Sequence, residues 1–200
     1  MSRSVEFFFF DFGSPTSYLA YTQLPGLIER TGAEVIYRPM LLGGVFKATG
    51  NQSPVTVPAK GKWMFADMAR FARRYDVQFV MNPHFPVNTL NLMRGAVAAQ
   101  AQGVFPRYAE AIYRALWAEG KNLGDTTVVA ETLAAAGLDA ERLIAACAET
   151  DVKARLIANT EEAVTRGVFG APTFFVGPDM FFGQDRLDFV EERLKRMVAA

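Results

Sequence analysis

The 200-residue chain has one cysteine, Cys147, and one histidine, His84. A single cysteine excludes an internal disulfide and Cys-x-x-Cys redox chemistry, and with them a dithiol oxidoreductase. Because no second histidine, cysteine or clustered carboxylate stands at ligand spacing from His84, we expect no metal site. The chain also lacks a Ser-His-Asp set around a nucleophile elbow and a Gly-rich phosphate loop. If it is an enzyme, its reactive group is therefore expected to arrive with a bound small molecule.

The chain also lacks a charge imbalance and a long apolar run. Lys plus Arg number 21 and Asp plus Glu number 21, so no electrostatic feature predicts nucleic acid or an anionic membrane as a partner. The apolar run near the N-terminus ends at Asp11, and no small-residue cleavage site follows it, which argues against a signal peptide or a membrane span. Hydrophobic residues make up 50% of the chain, as in an ordinary soluble globular protein, and we expect a cytoplasmic location.

The chain is organised around residues 5–19, VEFFFFDFGSPTSYL. Five phenylalanines and a valine in eight positions predict a buried strand, which Gly13 ends. Ser14 is a preferred N-cap residue, and Pro15 follows at the first helical position, where its fixed φ suits a helix. We therefore expect the Ser14 hydroxyl at the start of a helix, where free N–H groups and the helix dipole favour negative charge. Helix capping alone is the plain alternative for such a Ser-Pro pair.

The rest of the chain is predicted to complete a βαβ unit, continue through a helical region and close with a hairpin and a helix. Helical spacing and period-two alternation distinguish these elements, and Gly and Pro mark the turns. The predicted elements are a helix over 16–31, a strand parallel to the first over 34–38, a loop over 41–60, helices over 60–167 with N-caps at Asp125 and Asp139, a hairpin of strands over 173–176 and 180–182, and a last helix N-capped by Asp185.

This order predicts an α/β chain with a thioredoxin-like fold and a large inserted all-helical domain. We place the thioredoxin-like domain at residues 1–45 and 165–200, and the helical domain with its linking loop at 46–164. The segment Ser14-Pro15-Thr16-Ser17 occupies the position of a Cys-x-x-Cys pair on the first helix of that fold, with oxygen in place of both sulfurs. The segment Gly170-Ala171-Pro172-Thr173 is similar to the cis-proline segment that faces such a pair.

A family resemblance rests above all on residues 167–186, GVFGAPTFFVGPDMFFGQDR. With Phe10-Asp11-Phe12, Ser14-Pro15 and the Gly-containing segment 41–51, this motif makes the chain resemble the 2-hydroxychromene-2-carboxylate isomerases and the kappa-class glutathione transferases of the DsbA-like group. The resemblance runs essentially from end to end. It implies a homodimeric, glutathione-dependent isomerase that interconverts 2-hydroxychromene-2-carboxylate and trans-o-hydroxybenzylidenepyruvate, or a related aromatic 2-oxo acid. A kappa-like transferase and a non-catalytic thioredoxin-like binding module are the alternatives.

The same resemblance implies roles for particular residues. The Ala171 backbone, next to Pro172, would pair with the cysteinyl part of glutathione, and Ser14 would donate a hydrogen bond to its sulfur, which favours the thiolate. The γ-glutamyl end would contact Phe182, Gly183, Gln184 and Asp185.

The substrate carboxylate and oxygens would fall to polar residues outside this motif. The candidates are Lys47, Asn51, Lys60 and Asn88. Asp11, on the first strand, is interpreted as a structural hydrogen-bond acceptor, with tuning of the thiol as the alternative. His84 receives no role, and Cys147 is predicted to be a buried packing residue.

Overall fold

The computed structural model describes residues 4–197, with the backbone alone for residues 4–8. Residues 1–3 and 198–200 of the predicted thioredoxin-like domain lie outside the described part. The side chains of Val5, Phe7 and Phe8, in the predicted buried strand, also lie outside it. No helix within 4–197 combines the length and apolar character needed to cross a bilayer. The elements are β1 (Ser4–Phe10), α1 (Pro15–Thr31), β2 (Glu34–Pro39), α2 (Leu42–Thr49), α3 (Pro58–Tyr75), α4 (Leu90–Ala101), α5 (Phe105–Trp117), α6 (Thr126–Ala135), α7 (Ala140–Ala146), α8 (Thr150–Thr165), β3 (Thr173–Val176), β4 (Asp179–Phe182) and α9 (Leu187–Arg196).

The strands form one mixed sheet in the order β2-β1-β3-β4. β1 and β2 are parallel, as predicted, and α1 makes the crossover between them. β3 is antiparallel to β1 and forms the predicted hairpin with β4, in which Thr173 lies opposite Phe182. A βαβ unit and a ββα unit that share one sheet make a thioredoxin-type fold. The carboxyl end of β1 and the start of β3 thereby reach the same edge of the sheet.

Helix α1 begins at the predicted N-cap. Ser14 has extended backbone angles, its side chain accepts from the Ser17 N–H at 3.2 Å, and Pro15 occupies the first turn. The helix continues through Pro25 as one element and ends at Gly32, whose φ is 65°. Local capping chemistry therefore sets both ends of the helix that carries the candidate site.

The larger of two buried hydrophobic clusters in the described residues joins the sheet to the helices between β2 and β3. Phe10 and Phe12 are fully buried, and the Phe12 ring lies 4.7 Å from the ring of Tyr113 on α5. The indole N–H of Trp117, also on α5, donates to the Phe12 carbonyl at 2.8 Å. Helix α5 thus holds the chain immediately before Ser14. Because the core is shared, it marks no boundary, and the division into 1–45 with 165–200 and 46–164 stays a prediction.

The region predicted as a long loop, 41–60, contains secondary structure, and that prediction was wrong. Residues Leu42–Thr49 form α2, Pro54–Thr56 form a short 3-10 helix, and α3 begins at Pro58. Two glycines in the first turn of α2 lower its intrinsic helix propensity and hid it from the pattern. The helix is nevertheless stabilised by tertiary contacts, since α2 packs against α8 and Val45 is fully buried.

The last helix begins later than predicted. Gln184–Arg186 form a 3-10 helix, and α9 begins at Leu187 without a side-chain cap, so Asp185 is not its N-cap. The Gly183 N–H donates to the Pro172 carbonyl at 3.0 Å, which ties the turn to the segment before β3 and directs the chain into the tighter winding. The Asp185 carboxylate instead pairs with the Arg186 guanidinium at 2.7 Å.

Candidate active site

A pocket of about 390 Å³ lies where the tip of α1 meets the segment before β3 and the turn after β4. This volume is within the range of small-molecule sites. Pro172, next to Ala171, is buried and lies outside the lining. The lining brings together most of the predicted glutathione-binding residues and one of the predicted substrate residues: Ser14, Ala171, Phe182, Gly183, Gln184, Asp185 and Asn51.

The Ser14 hydroxyl donates a hydrogen bond to the Ala171 carbonyl at the edge of this pocket. The two oxygens are 3.2 Å apart, and Ser14 is 5% exposed. The Thr16 hydroxyl lies 2.9 Å from the Ser14 oxygen and 3.2 Å from the same carbonyl. Pro15 has no N–H, and the Thr16 N–H has no acceptor among residues 4–197. The helix tip therefore presents two hydroxyls and a free N–H group, in the positive end of the α1 dipole.

Asp11 anchors the turn that carries Ser14. Its carboxylate accepts from the Gly13 N–H at 2.9 Å, the Leu42 N–H at 2.9 Å and the Thr89 hydroxyl at 2.7 Å. Burial raises the pKa of the Asp11 carboxyl above its ordinary value, and these three hydrogen bonds oppose that rise. All three contacts join backbone or core groups, which confirms the interpretation of Asp11 as a structural acceptor.

The segment that faces Ser14 contains the predicted cis peptide bond, between Ala171 and Pro172. The Ala171 carbonyl is shared by two hydroxyls, whereas its N–H has no acceptor in the described part of the chain. Gly170 allows the Phe182 ring to pack closely on the backbone here, because a Cβ would lie 2.7 Å from that ring and would require it to shift. Close packing of Phe182 over the backbone thereby leaves the edge of Ala171 open to the pocket.

The turn after β4 supplies backbone donors. Gly183 has a φ of 106°, and a Cβ there would lie 2.5 Å from Asp185 Oδ1. The N–H groups of Gln184 and Asp185 donate to no residue within 4–197. The Tyr75 hydroxyl on α3 donates to the Gln184 carbonyl at 3.2 Å and holds this short helix in place. Tyr75 falls at helical spacing from Met68 and Phe71, a pattern that indicates a core residue and not a site residue.

The opposite half of the pocket is apolar. Phe46 on α2, Met64 on α3 and Phe85 after α3 line it, and the Phe85 ring lies 6.0 Å from the ring of Trp117. None of these three residues was predicted to belong to the site. Their apolar side chains are indistinguishable from core residues by pattern, and the helix that carries Phe46 was not predicted.

Three of the four predicted substrate residues do not reach the lining. Lys47 and Lys60 are exposed outside it, and Asn88 lines a separate cavity of about 80 Å³ beside Cys147. The fourth, Asn51, does line the pocket, and its amide donates to the Phe169 carbonyl at 2.7 Å. Asp185 is the one charged side chain in the described lining.

His84 and Cys147 both lie away from the pocket. His84 is exposed. Cys147 is half-buried, which corrects the prediction of a buried residue, because it ends α7 at the rim of a cavity. Its thiol contacts the Asn91 and Leu143 carbonyls, and burial raises the pKa of the thiol. In residues 4–197 no three His, Cys, Asp or Glu side chains converge as a metal site requires.

Fold and site together define a thioredoxin-type protein whose helix tip carries hydroxyls where redox enzymes of this fold carry thiols. Residues 5–195 match the family model described as a DSBA-like thioredoxin domain. A 2-hydroxychromene-2-carboxylate isomerase from Sphingobium xenophagum is 35% identical over 196 residues, which cover 97% of this chain and 99% of the relative. Glutathione S-transferase kappa 1 from Caenorhabditis elegans is 27% identical over 203 residues, covering 94% of this chain and 90% of the relative.

A solved structure of selenomethionine 2-hydroxychromene-2-carboxylate isomerase superimposes with a TM-score of 0.88 at 28% identity, covering 98% of this chain and 96% of that structure. The chain belongs to the DsbA-like thioredoxin family and, within it, to the family of the 2-hydroxychromene-2-carboxylate isomerases. It is an enzyme of the isomerase type. The predicted fold and the family resemblance are confirmed.

Proposed function

We propose that the chain is a glutathione-dependent cis–trans isomerase that acts on 2-hydroxychromene-2-carboxylate or a related aromatic 2-oxo acid. The observation that carries this proposal is the buried Ser14 hydroxyl at the tip of α1, opposite the Ala171 backbone. No cysteine or histidine is found in the described lining, so we assign the reactive thiol to bound glutathione. Relatives named for this isomerisation support the assignment.

The residues present fit glutathione. The unpaired Ala171 N–H and the adjacent carbonyl match the backbone of an extended peptide. The unpaired N–H groups of Gln184 and Asp185 suit the γ-glutamyl carboxylate, and the Asp185 carboxylate suits its ammonium group. Arg186 occupies that carboxylate at 2.7 Å, so binding of the ammonium would share or displace this exposed ion pair.

Bound glutathione would supply a thiolate that adds reversibly to the conjugated double bond of the substrate, which can then rotate as a single bond. Ser14 donates its hydroxyl proton toward the sulfur and so favours the ionised form. The positive end of α1 acts in the same direction. Ser14 keeps its proton in this scheme, which is consistent with the lack of a base beside it.

The apolar half of the pocket would take the aromatic ring. Phe46, Met64 and Phe85 offer this surface, and the Asn51 amide stands at its edge for a substrate oxygen. Lys47, Lys60 and Asn88 lie outside the lining, and a contact between them and the substrate stays a prediction. The homodimer and the cytoplasmic location also stay predictions.

An isomerisation assay with a limiting amount of glutathione tests the function. Product in excess of the glutathione supplied, with free thiol unchanged at the end, is the expected result. Consumption of one thiol per product would favour the kappa-like transferase, which the 27% identical relative from Caenorhabditis elegans keeps as the second candidate. Absence of both turnover and glutathione binding would favour the binding module.

A further inference from the structure

The structure places a second hydroxyl beside the one to which the proposed function assigns the thiolate. Thr16 Oγ1 lies 2.9 Å from Ser14 Oγ, and both oxygens lie 3.2 Å from the Ala171 carbonyl oxygen. Thr16 lines the same pocket and is half-buried. The two side chains come from the first turn of α1, so their separation is set by the helix and not by a mobile loop.

Counting donors and acceptors shows what each hydroxyl can do. A serine hydroxyl has one proton to donate and two lone pairs that accept. One lone pair of Ser14 accepts the Ser17 N–H at 3.2 Å, which is the helix cap. When the Ser14 proton points to a sulfur in the pocket, the second lone pair of Ser14 Oγ has a protein partner only if the Thr16 hydroxyl donates to that oxygen.

We propose that Thr16 is a positioning residue whose hydroxyl donates to Ser14 Oγ and thereby directs the Ser14 proton to the glutathione sulfur. This inference rests on the proposed function. Without Thr16, the Ser14 proton can stay on the Ala171 carbonyl, 3.2 Å away. With Thr16 as donor, the hydroxyls form a chain in which each hydrogen bond polarises the next and strengthens it.

The test substitutes Thr16 with valine, which keeps the branched shape and removes the hydroxyl. The measured quantity is the pKa of the bound glutathione thiol, from the ultraviolet absorbance of the thiolate during a pH titration at saturating glutathione. We expect Thr16→Val to raise this pKa by about 0.4 to 1 unit, the size of one neutral hydrogen bond, and Thr16→Ser to restore it. At pH values below the bound thiol pKa, kcat/KM falls about 3- to 10-fold in Thr16→Val.

A matched control, Thr22, lies six residues further along the same helix. Thr22 donates to the Leu19 carbonyl at 2.7 Å and is outside the pocket, so Thr22→Val leaves the bound thiol pKa unchanged. An unchanged pKa in Thr16→Val, with a lowered pKa in the unsubstituted enzyme, overturns the role of Thr16 and leaves the proposed function standing. Absence of bound thiolate in the unsubstituted enzyme overturns both.

Discussion

Replacing Ser14 with alanine removes one hydroxyl that has two separable effects. The first is the cap on α1 through the Ser17 N–H, whose loss costs about 1 kcal/mol and lowers the Tm by about 2–4 °C for a chain of this length. The second is the proposed hydrogen bond to the glutathione sulfur. Such a charge-directed bond is worth about 1.5–3 kcal/mol, or somewhat more in a preorganised site, so the rate falls about 10- to 1000-fold.

The pH dependence of this loss follows from the ionised form being the reactive one. Without Ser14 the pKa of the bound thiol rises toward its ordinary value of about 8.5, so less thiolate is present at neutral pH. The deficit in kcat/KM is therefore largest near about pH 7 and becomes smaller above about pH 9, where both enzymes hold the thiolate. The assay is a profile of kcat/KM against pH at saturating glutathione, paired with thermal unfolding of each variant.

Asp125→Ala separates the two effects. Asp125 caps α6 by accepting the Thr127 N–H at 2.8 Å, and it lies outside the pocket. We expect it to lower the Tm by a similar amount and to leave kcat/KM unchanged. Full activity of Ser14→Ala at neutral pH would refute the thiolate role of Ser14. An equal activity loss in Asp125→Ala would show that lost stability, and not the hydrogen bond, causes the defect.

Three further substitutions test the surrounding structure. Asp11→Asn places an amide opposite three hydrogen-bond donors, so urea unfolding should show a loss of about 2 kcal/mol. Because the folded pKa of Asp11 is raised, its carboxyl contributes stability that is fully present below the unfolded pKa near 3.8 and is lost as the pH rises through the folded pKa. The variant should lack this pH dependence. Retention of that pH dependence would contradict burial as the cause of the shift. Gly183→Ala, at φ 106° and with a Cβ 2.5 Å from a carboxylate oxygen, weakens glutathione binding at least about 10-fold by calorimetry, whereas Gly177→Ala, at φ 61° in open space, lowers only the Tm. Equal binding by the two would remove this turn from the site. Tyr75→Phe loses one hydrogen bond to the 3-10 helix and raises the Kd of glutathione about 2- to 10-fold, with kcat at saturation unchanged; a lower kcat with unchanged Kd would contradict it.

Local chemistry made much of the fold predictable. The Ser14 cap with Pro15 located the start of α1, the aspartate caps at Asp125 and Asp139 located two more helices, and the Gly-Pro turn located the β3–β4 hairpin. Each of these signals depends on residues within about four positions of one another, which is the range over which capping and turn preferences act.

The two elements that were predicted wrongly, α2 and the start of α9, lack such local signals. Helix α2 has glycines in its first turn and forms because Val45 packs into a buried cluster. The 3-10 helix before α9 depends on the hydrogen bond from the Gly183 N–H to the Pro172 carbonyl. Because of that contact, the chain forms a 3-10 turn where an N-cap at Asp185 was predicted. In both cases the deciding interaction joins the segment to another part of the chain.

The sequence by itself determined part of the possible chemistry: one cysteine excludes a built-in thiol pair, and a serine at a helix tip favours a guest anion. Only the tertiary structure decided which side chains meet. It brought Ser14 and Thr16 to the Ala171 carbonyl, closed the pocket with Phe85, and left Lys47 outside the lining. The physical reason is that residue type and spacing set local conformation, whereas the direction of a side chain depends on packing between distant segments.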